Sequence, residues 1–208
     1  MMRQFSVFIF GILSILLAAL PHYHNALLFD RTAILGGQFW RLWTGHWIHF
    51  SPSHLLWNVV ALSFTGAWLE ARQPGLLLRY TAVAAPAISV GLLVLEPHLI
   101  TYGGLSGLGT GMVALLGITL CRSRGFDRTI GVSTLVLLTA KLLHDLIPGT
   151  ALLSRFDLPA VQASTTAHLL GTLLAVIGNL AGPKPFFAGR ISEDQFDKSR
   201  NLRSRHQL

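Results

Sequence analysis

The sequence predicts an all-α polytopic membrane protein with six transmembrane helices. Of its 208 residues, 51% are apolar and only 12% are charged, a composition too apolar for an ordinary soluble domain. Six apolar stretches separated by polar connections are candidates to cross the membrane, at residues 5–20, 54–70, 76–95, 106–120, 129–147 and 163–180. A span needs about 20 apolar residues, so the first and fourth stretches are short.

The first stretch has two interpretations. Arg3 precedes an apolar segment, as in a cleavable signal peptide, but no Ala-x-Ala-like cleavage site follows at Leu20-Pro21. We therefore expect a retained first helix.

The connection after the first helix, residues 22–53, is the longest in the membrane domain and carries Trp40, Trp43 and Trp47. Trp prefers the membrane–water interface, where the ring is buried and the N–H stays hydrated. We expect this loop to lie in the outer interface as short helices.

The distribution of Lys and Arg fixes the orientation of the six helices. With both termini in the cytoplasm, only Arg31, Arg41 and Arg155 lie on the outer side, as the positive-inside rule requires. The formal net charge of +7 therefore follows the topology and does not indicate nucleic acid.

One membrane domain, residues 1–182, precedes a polar, basic cytoplasmic tail, residues 183–208. This tail is either solvated and partly disordered or weakly attracted to anionic membrane lipid.

Polar residues lie near the outer ends of three stretches. Ser106 opens the fourth, His168 lies near the start of the sixth, and His54 and Asn58 lie four residues apart on one face of the second. At about 1.5 Å per residue, all of them fall in the outer third of the bilayer. Such groups usually face the bundle interior and mark a functional site, and hydrogen bonding between helices is the alternative.

These residue types suit acyl transfer. A serine hydroxyl becomes a nucleophile when a base removes its proton, and a neutral imidazole can act as that base. We therefore predict that Ser106 and His168 are catalytic, and that His54, Asn58 and the backbone N–H of Ser106 stabilise the oxyanion. No carboxylate is an obvious third member, so a dyad is expected, with helix packing orienting the histidine.

Small residues surround both candidates. Gly104 and Gly107 flank Ser106, where they permit a tight turn and a close helix approach, and Gly171 follows His168 by one turn. The alternative is that these glycines serve packing alone, beside a serine without chemistry.

Two charged residues lie toward the outer end of the fifth stretch. Lys141 and Asp145 are four residues apart, which favours an ion pair that limits the cost of two charges in a membrane. The alternative is a contact with the substrate or with a lipid headgroup.

The sequence indicates neither a metal site nor a cofactor. His46-x-x-His49 lies in an outer loop without a nearby Cys or a His-Glu-x-x-His motif, so hydrogen bonding at the interface is the favoured role. Cys121 is the only cysteine, which excludes an intrachain disulfide.

The sequence resembles the rhomboid intramembrane serine proteases over the whole membrane domain. The matching elements, in chain order, are Trp40-Arg41, His49, His54-x-x-x-Asn58, Gly104-x-Ser106-Gly107 and Ala167-His168-x-x-Gly171. The resemblance implies a six-helix rhomboid-type bundle, a Ser106–His168 dyad and an oxyanion site that includes His54 and Asn58. It also implies cleavage of transmembrane protein substrates near their outer ends. Trp40 and Arg41 would be structural.

Residues 37–46, the compact size, and Lys141 with an acid four residues on look closest to the rhombosortase branch. That likeness implies a sorting protease of a bacterial inner membrane, acting on envelope proteins with a C-terminal Gly-Gly motif, an apolar helix and a basic end.

Many rhomboids carry Tyr four residues after the serine, where this chain has Thr110, so another group must hold the histidine ring.

The sequence is also compatible with two alternatives to the protease. A catalytically silent rhomboid-like protein that binds or escorts membrane clients would not need both Ser106 and His168. A transporter with a proton path through His168, Lys141 and Asp145 would need polar residues at mid-depth, yet the inner halves of the stretches are nearly all apolar.

Overall fold

The structure, a computed structural model, describes residues 5–147 and 164–180, and its regular elements there are mainly helices. The long helices are α1 Phe5–Ala18, α5 Pro52–Arg72, α6 Leu76–Leu95, α7 Ser106–Cys121, α8 Phe126–Asp145 and α9 Thr165–Leu180. Between α1 and α5 lie the short helices α2 His24–Leu27, α3 Arg31–Leu35 and α4 Arg41–Thr44, with 3-10 turns at Pro21–Tyr23 and Gly45–Trp47. Strand β1, Phe29–Asp30, pairs antiparallel with β2, Thr101–Tyr102.

The helix bounds follow the predicted stretches with local differences. Helix α6 has the predicted bounds, whereas α8 begins at Phe126 and ends at Asp145, not at 129 and 147. The helix begins directly after Gly125, whose φ of 62° ends the preceding turn, and Asp127 in its first turn suits a helix N-terminus. The predicted start of the sixth stretch at Ala163, the outer residue Arg155 and the tail 183–208 lie outside the described residues.

The prediction of six full-length spans is not confirmed by helix length. Within the described ranges, Leu76–Leu95 alone is long and apolar enough to cross a membrane, and the bent pair Ile9–Ala18 and Pro21–Leu27 passes the same test as one unit. Helices α7 and α9 are apolar but have 16 residues each. They extend about 24 Å, short of the roughly 30 Å hydrocarbon core.

The outer faces of the long helices are nonetheless apolar. Large side chains that are more than half exposed include Ile12, Phe64, Leu78, Leu137 and Leu173. Apolar side chains spread over the outside of a helix bundle suit contact with lipid, because water would disfavour them.

Helix α7 lies at the centre of the bundle and packs against α5, α8 and α9. Its contact with α9 depends on glycine, since a Cβ on Gly171 would overlap the carbonyl oxygen of Gly107. A Cβ on Gly107 would lie 2.9 Å from the carbonyl oxygen of Ala167. The two helices therefore meet through their backbones, as small-residue motifs allow in membranes.

The loop between α1 and α5 contains the short helices that the sequence predicts. Buried Arg41 donates to the Leu28 carbonyl at 2.6 Å and to Gln38 Oε1 at 2.7 Å. Trp40 Nε1 donates to the Ala26 carbonyl at 3.1 Å. Both side chains thus hydrogen-bond to other parts of the same loop.

Candidate active site

Ser106 is the first residue of α7, and the turn before it is built by glycine. Gly104 has a φ of 116°, a conformation that favours glycine over other residues. Buried Tyr102 donates its hydroxyl to the Gly104 carbonyl at 3.1 Å. Because an α-helix leaves its first N–H groups without intrahelical partners, the N–H of Ser106 is available to a ligand at this end.

Tyr102 is a buried residue of this region that the sequence pattern did not single out. Its ring packs edge-on against Phe29 and His46. Burial raises the pKa of Tyr102, and hydrogen bonds to the Ser106 hydroxyl and the Gly107 backbone oppose that rise. Its pairing with Phe29 in the two-residue strands links the loop between α1 and α5 to the turn that presents Ser106.

His54 and Asn58 lie beside this turn on the first half of α5, and both are buried. A Cβ on Gly104 would stand 2.6 Å from His54 Nε2 and 3.5 Å from Asn58 Nδ2. The Asn58 Nδ2 group is buried and makes no hydrogen bond within the described part of the chain. Two side-chain donors therefore border the N-terminus of α7, and one of them is free to bind.

His168 is buried on α9, one residue from the Ala167 carbonyl that approaches Gly107. Its Nε2 atom is buried and has no hydrogen-bond partner among residues 5–147 and 164–180, so it is not bonded to Ser106 in this structure. Catalytic hydrogen bonds are often long in free enzymes and form only with substrate. The structure brings the helices that carry Ser106 and His168 together at adjacent residues.

The prediction that no carboxylate accompanies the histidine is wrong. Asp145 Oδ2 lies 2.7 Å from His168 Nδ1, and Lys141 Nζ lies 2.7 Å from the same nitrogen. Lys141 Nζ also bonds Asp145 Oδ2, so the three groups form a closed triangle. The predicted ion pair on α8 is present, but its carboxylate is shared with α9.

A signal for this contact was present in the chain order. Asp145 ends α8 and Thr165 begins α9, the next helix in the described part of the chain, so Asp145 and His168 lie toward the same end of the bundle. The Thr165 hydroxyl donates to the Asp145 carbonyl at 2.6 Å and joins the two helix ends. The spacing of four residues from Lys141 drew attention to the pairing within α8 only.

Thr110 does not replace the missing aromatic ring. Its hydroxyl donates to the carbonyl of Ser106 at 2.6 Å, one turn back on its own helix. The Nδ1 side of His168 is held by Asp145 and Lys141 instead.

The loop histidines His46 and His49 make hydrogen bonds. His46 Nε2 lies 2.9 Å from the Ala85 carbonyl, and His49 Nδ1 lies 3.0 Å from the Trp47 carbonyl. Burial lowers the pKa of each to about 4, so both are neutral at physiological pH. Within the described ranges, no three His, Cys, Asp or Glu side chains are grouped to hold a metal ion.

The fold and the polar cluster define a mainly helical integral membrane protein with titratable side chains gathered inside the bundle. The rhomboid domain matches residues 36–182, and the chain belongs to the rhomboid family. Members of this family are generally intramembrane serine proteases that act on transmembrane proteins, and some are inactive. Comparison with curated proteins gives no match.

Proposed function

We propose that this chain is an intramembrane serine endopeptidase in which Ser106 is the nucleophile and His168 is the general base. The observation that carries the proposal is the buried Nε2 atom of His168, which has no partner in the described ranges and lies on the helix that touches the start of α7. A buried nitrogen without a partner is costly. A hydrogen bond to the Ser106 hydroxyl that forms only when substrate is bound would account for it.

The chemistry follows from these groups. His168 Nε2 takes the proton of the Ser106 hydroxyl as Oγ attacks the scissile carbonyl carbon, and an oxyanion forms. The protonated His168 then gives its proton to the leaving amine, and the acyl-enzyme remains on Ser106. Water attacks the acyl carbon in the second half, with His168 again taking and returning the proton.

The oxyanion would be held at the N-terminus of α7. Asn58 Nδ2 is a buried donor without a partner in the described part, and the ring of His54 borders Gly104. Together with the N–H of Ser106, these groups would stabilise charge as it develops, which is worth about 10²–10³ in rate for one donor.

The substrate we propose is a transmembrane helix with Gly-Gly near its outer end, as in the sorting signals that the resemblance to rhombosortases implies. Glycine weakens a helix by about 1 kcal/mol relative to Ala, which helps to expose a peptide bond. We place the protein in a bacterial inner membrane, with both termini cytoplasmic and the site toward the outer face. The excess of Lys and Arg on the cytoplasmic side supports this orientation.

A co-expressed reporter with a C-terminal Gly-Gly, an apolar helix and a basic end tests the function. We expect cleavage by the wild type, and none by Ser106→Ala or His168→Ala at membrane levels matched by immunoblot. Cleavage that persists in Ser106→Ala would refute the mechanism.

A wild type that leaves the reporter intact is resolved with a fluorophosphonate probe. Labelling that is lost in Ser106→Ala indicates an active serine and a different substrate. A protein that the probe leaves unlabelled would be a silent rhomboid-like binder of membrane clients.

A further inference from the structure

The triangle of Lys141, Asp145 and His168 gives the histidine a partner beyond the two residues of the expected dyad. Asp145 and His168 are nearly fully buried, with side chains 6% and 4% exposed, whereas the Lys141 side chain is 23% exposed. The contact crosses between α8 and α9, and the Thr165–Asp145 hydrogen bond fixes the two helix ends relative to each other. An ion pair confined to α8 would not require this arrangement.

The Nδ1 atom of His168 can satisfy only one of its two neighbours. A lysine ammonium only donates and a carboxylate only accepts. If Nδ1 carries the proton, it donates to Asp145 Oδ2, and Nε2 keeps the lone pair that a base needs. If Nδ1 is bare, it accepts from Lys141, and Nε2 carries a proton that prevents it from activating Ser106.

The burial of the groups decides between these two tautomers. A bare Nδ1 would place its lone pair 2.7 Å from an oxygen of a carboxylate whose side chain is only 6% exposed, and two acceptors at that distance repel each other. Lys141 has three rotatable donors and a partly exposed side chain, so it can bond Asp145 and leave Nδ1 to the carboxylate. The tautomer with the proton on Nδ1 is therefore favoured.

We propose that Asp145 is a positioning residue, which holds His168 in the Nδ1–H tautomer and orients its Nε2 toward Ser106, and that Lys141 keeps the carboxylate in place. This inference rests on the proposed function for its role in the reaction. When Nε2 takes the Ser106 proton, the ring becomes a cation with N–H on both nitrogens. Asp145 then faces the Nδ1–H of that cation and offsets the repulsion from Lys141.

Substitutions of the triangle separate positioning from packing. Asp145→Asn keeps the shape but lets Lys141 donate to Nδ1, so we expect kcat to fall by about a hundredfold or more with KM nearly unchanged. Asp145→Glu should recover part of the loss. The double variant Lys141→Met/Asp145→Asn should also exceed Asp145→Asn in kcat, because it removes the donor that stabilises the wrong tautomer.

The matched control is Asp127→Asn, the same change on the same helix. Asp127 forms an ion pair with Arg72 that is largely open to solvent, with side chains 42% and 36% exposed. We expect this variant to cleave at the wild-type rate.

The tautomer itself is read by ¹⁵N NMR of histidine-labelled full-length protein in micelles, with His168→Gln to assign the resonances. The expected result is an Nδ1–H tautomer for the wild type and an Nε2–H tautomer for Asp145→Asn. Three results would each overturn the proposal: an Nε2–H wild type, an Asp145→Asn variant with kcat within about threefold of the wild type, or a loss of activity with the tautomer unchanged.

Failure of this inference is distinguishable from failure of the proposed function. Full activity in Asp145→Asn together with no activity in Ser106→Ala would leave the protease and remove the positioning role. The NMR measurement on the wild type needs no cleavage and no variant other than the one used for assignment. It therefore decides the tautomer even if Asp145→Asn fails to fold or the reporter is not cut.

Discussion

At the scale of single residues, Gly104 gives the sharpest test of the site's shape. An Ala there would adopt a φ near 116° only under strain, which costs about 1–3 kcal/mol, and its Cβ would press into the ring of His54. We expect Gly104→Ala to lower cleavage by about a hundredfold, comparable to the loss of one oxyanion donor. Cleavage assays at matched membrane levels measure this effect.

Gly109 is the matched control for that substitution. It lies three residues into α7 from Ser106, and a Cβ built on it meets nothing within 4 Å. Gly109→Ala should keep wild-type cleavage, because Ala also favours the helix. Equal losses in the two variants would show that the geometry at Gly104 is not the cause.

His46 predicts how stability depends on pH. Burial lowers its pKa from 6.5 to about 4, so between these values the unfolded chain binds a proton that the folded protein does not. Above pH 6.5 the free energy of unfolding does not change with the titration of His46. As the pH falls from 6.5 toward 4, protons bind the unfolded chain preferentially, and the free energy of unfolding decreases by up to about 3 kcal/mol.

Thermal unfolding of the detergent-solubilised protein between pH 7.5 and 4.5 measures that loss. We expect His46→Gln to flatten the decline, since its amide does not titrate in this range. The decline will remain in part, because burial also lowers the pKa of His49 to about 4. An unchanged pH slope in His46→Gln would contradict the assignment.

The sequence was enough to propose the polar residues of the candidate site, but hydropathy and spacing did not identify the side chains that contact His168. Ser106, His54 and Asn58 are exceptional in apolar stretches, and that alone predicted a cluster. The contact between Asp145 and His168 depends on how α8 and α9 cross, which hydropathy and spacing do not encode. An ion pair with Lys141 within α8 already accounted for Asp145, so its contact with His168 on α9 was not predicted.

At the scale of elements, the apolar runs predicted the positions of the helices more accurately than their first residues. They were also a weaker guide to which helices are long enough to cross the membrane. Helix α8 starts at Phe126 because its first turn accepts polar residues such as Asp127, which no apolar window includes. Helices α7 and α9 are 16 residues long, and glycines on both helices let their backbones pack closely. Composition therefore predicted the helices, and the structure corrected their extents.

The connection between α5 and α6 depends on a buried carboxylate. Glu70 is 2% exposed, and its two oxygens accept the N–H groups of Gly75 and Leu77 at 2.7 Å each. These are N–H groups at the start of α6 that the helix itself leaves without partners. Glu70→Gln turns one acceptor into a donor, so we expect it to destabilise the protein by about 1–3 kcal/mol.

Thermal unfolding in detergent measures this change against Asp127→Asn. The exposed Arg72–Asp127 pair should contribute less than about 1 kcal/mol, and its loss should leave the midpoint almost unchanged. A Glu70→Gln midpoint equal to that of Asp127→Asn would show that the cap carries little stability.

At the scale of the whole molecule, the loop between α1 and α5 and the loop before α7 form one support for the site. The pairing of Phe29 with Tyr102 and the approach of Gly104 N to the Gly45 carbonyl at 3.4 Å join segments more than fifty residues apart. Arg31 extends the support by donating to the Leu93 carbonyl at 2.8 Å. The loop between α1 and α5 is therefore a scaffold for the turn at Ser106.

The topology predicts on which side of the membrane a residue lies, and this depends on how many helices cross the membrane. Between Leu35 in α3 and Arg124 after α7, the chain passes through α5, α6 and α7. Three complete crossings place the two residues on opposite sides of the membrane, whereas a partial insertion of the short α7 would place them on the same side. A 16-residue helix can still cross if the bilayer thins locally, at a cost of fractions of a kcal/mol per Å.

The single cysteine makes the measurement simple. In a Cys121→Ser background, Leu35→Cys and Arg124→Cys each present one thiol at an exposed position. We expect a membrane-impermeant maleimide to label Leu35→Cys in intact spheroplasts and Arg124→Cys only after permeabilisation. Labelling of both in intact spheroplasts would mean an even number of crossings, and the site at the start of α7 would then need a different path for water and substrate.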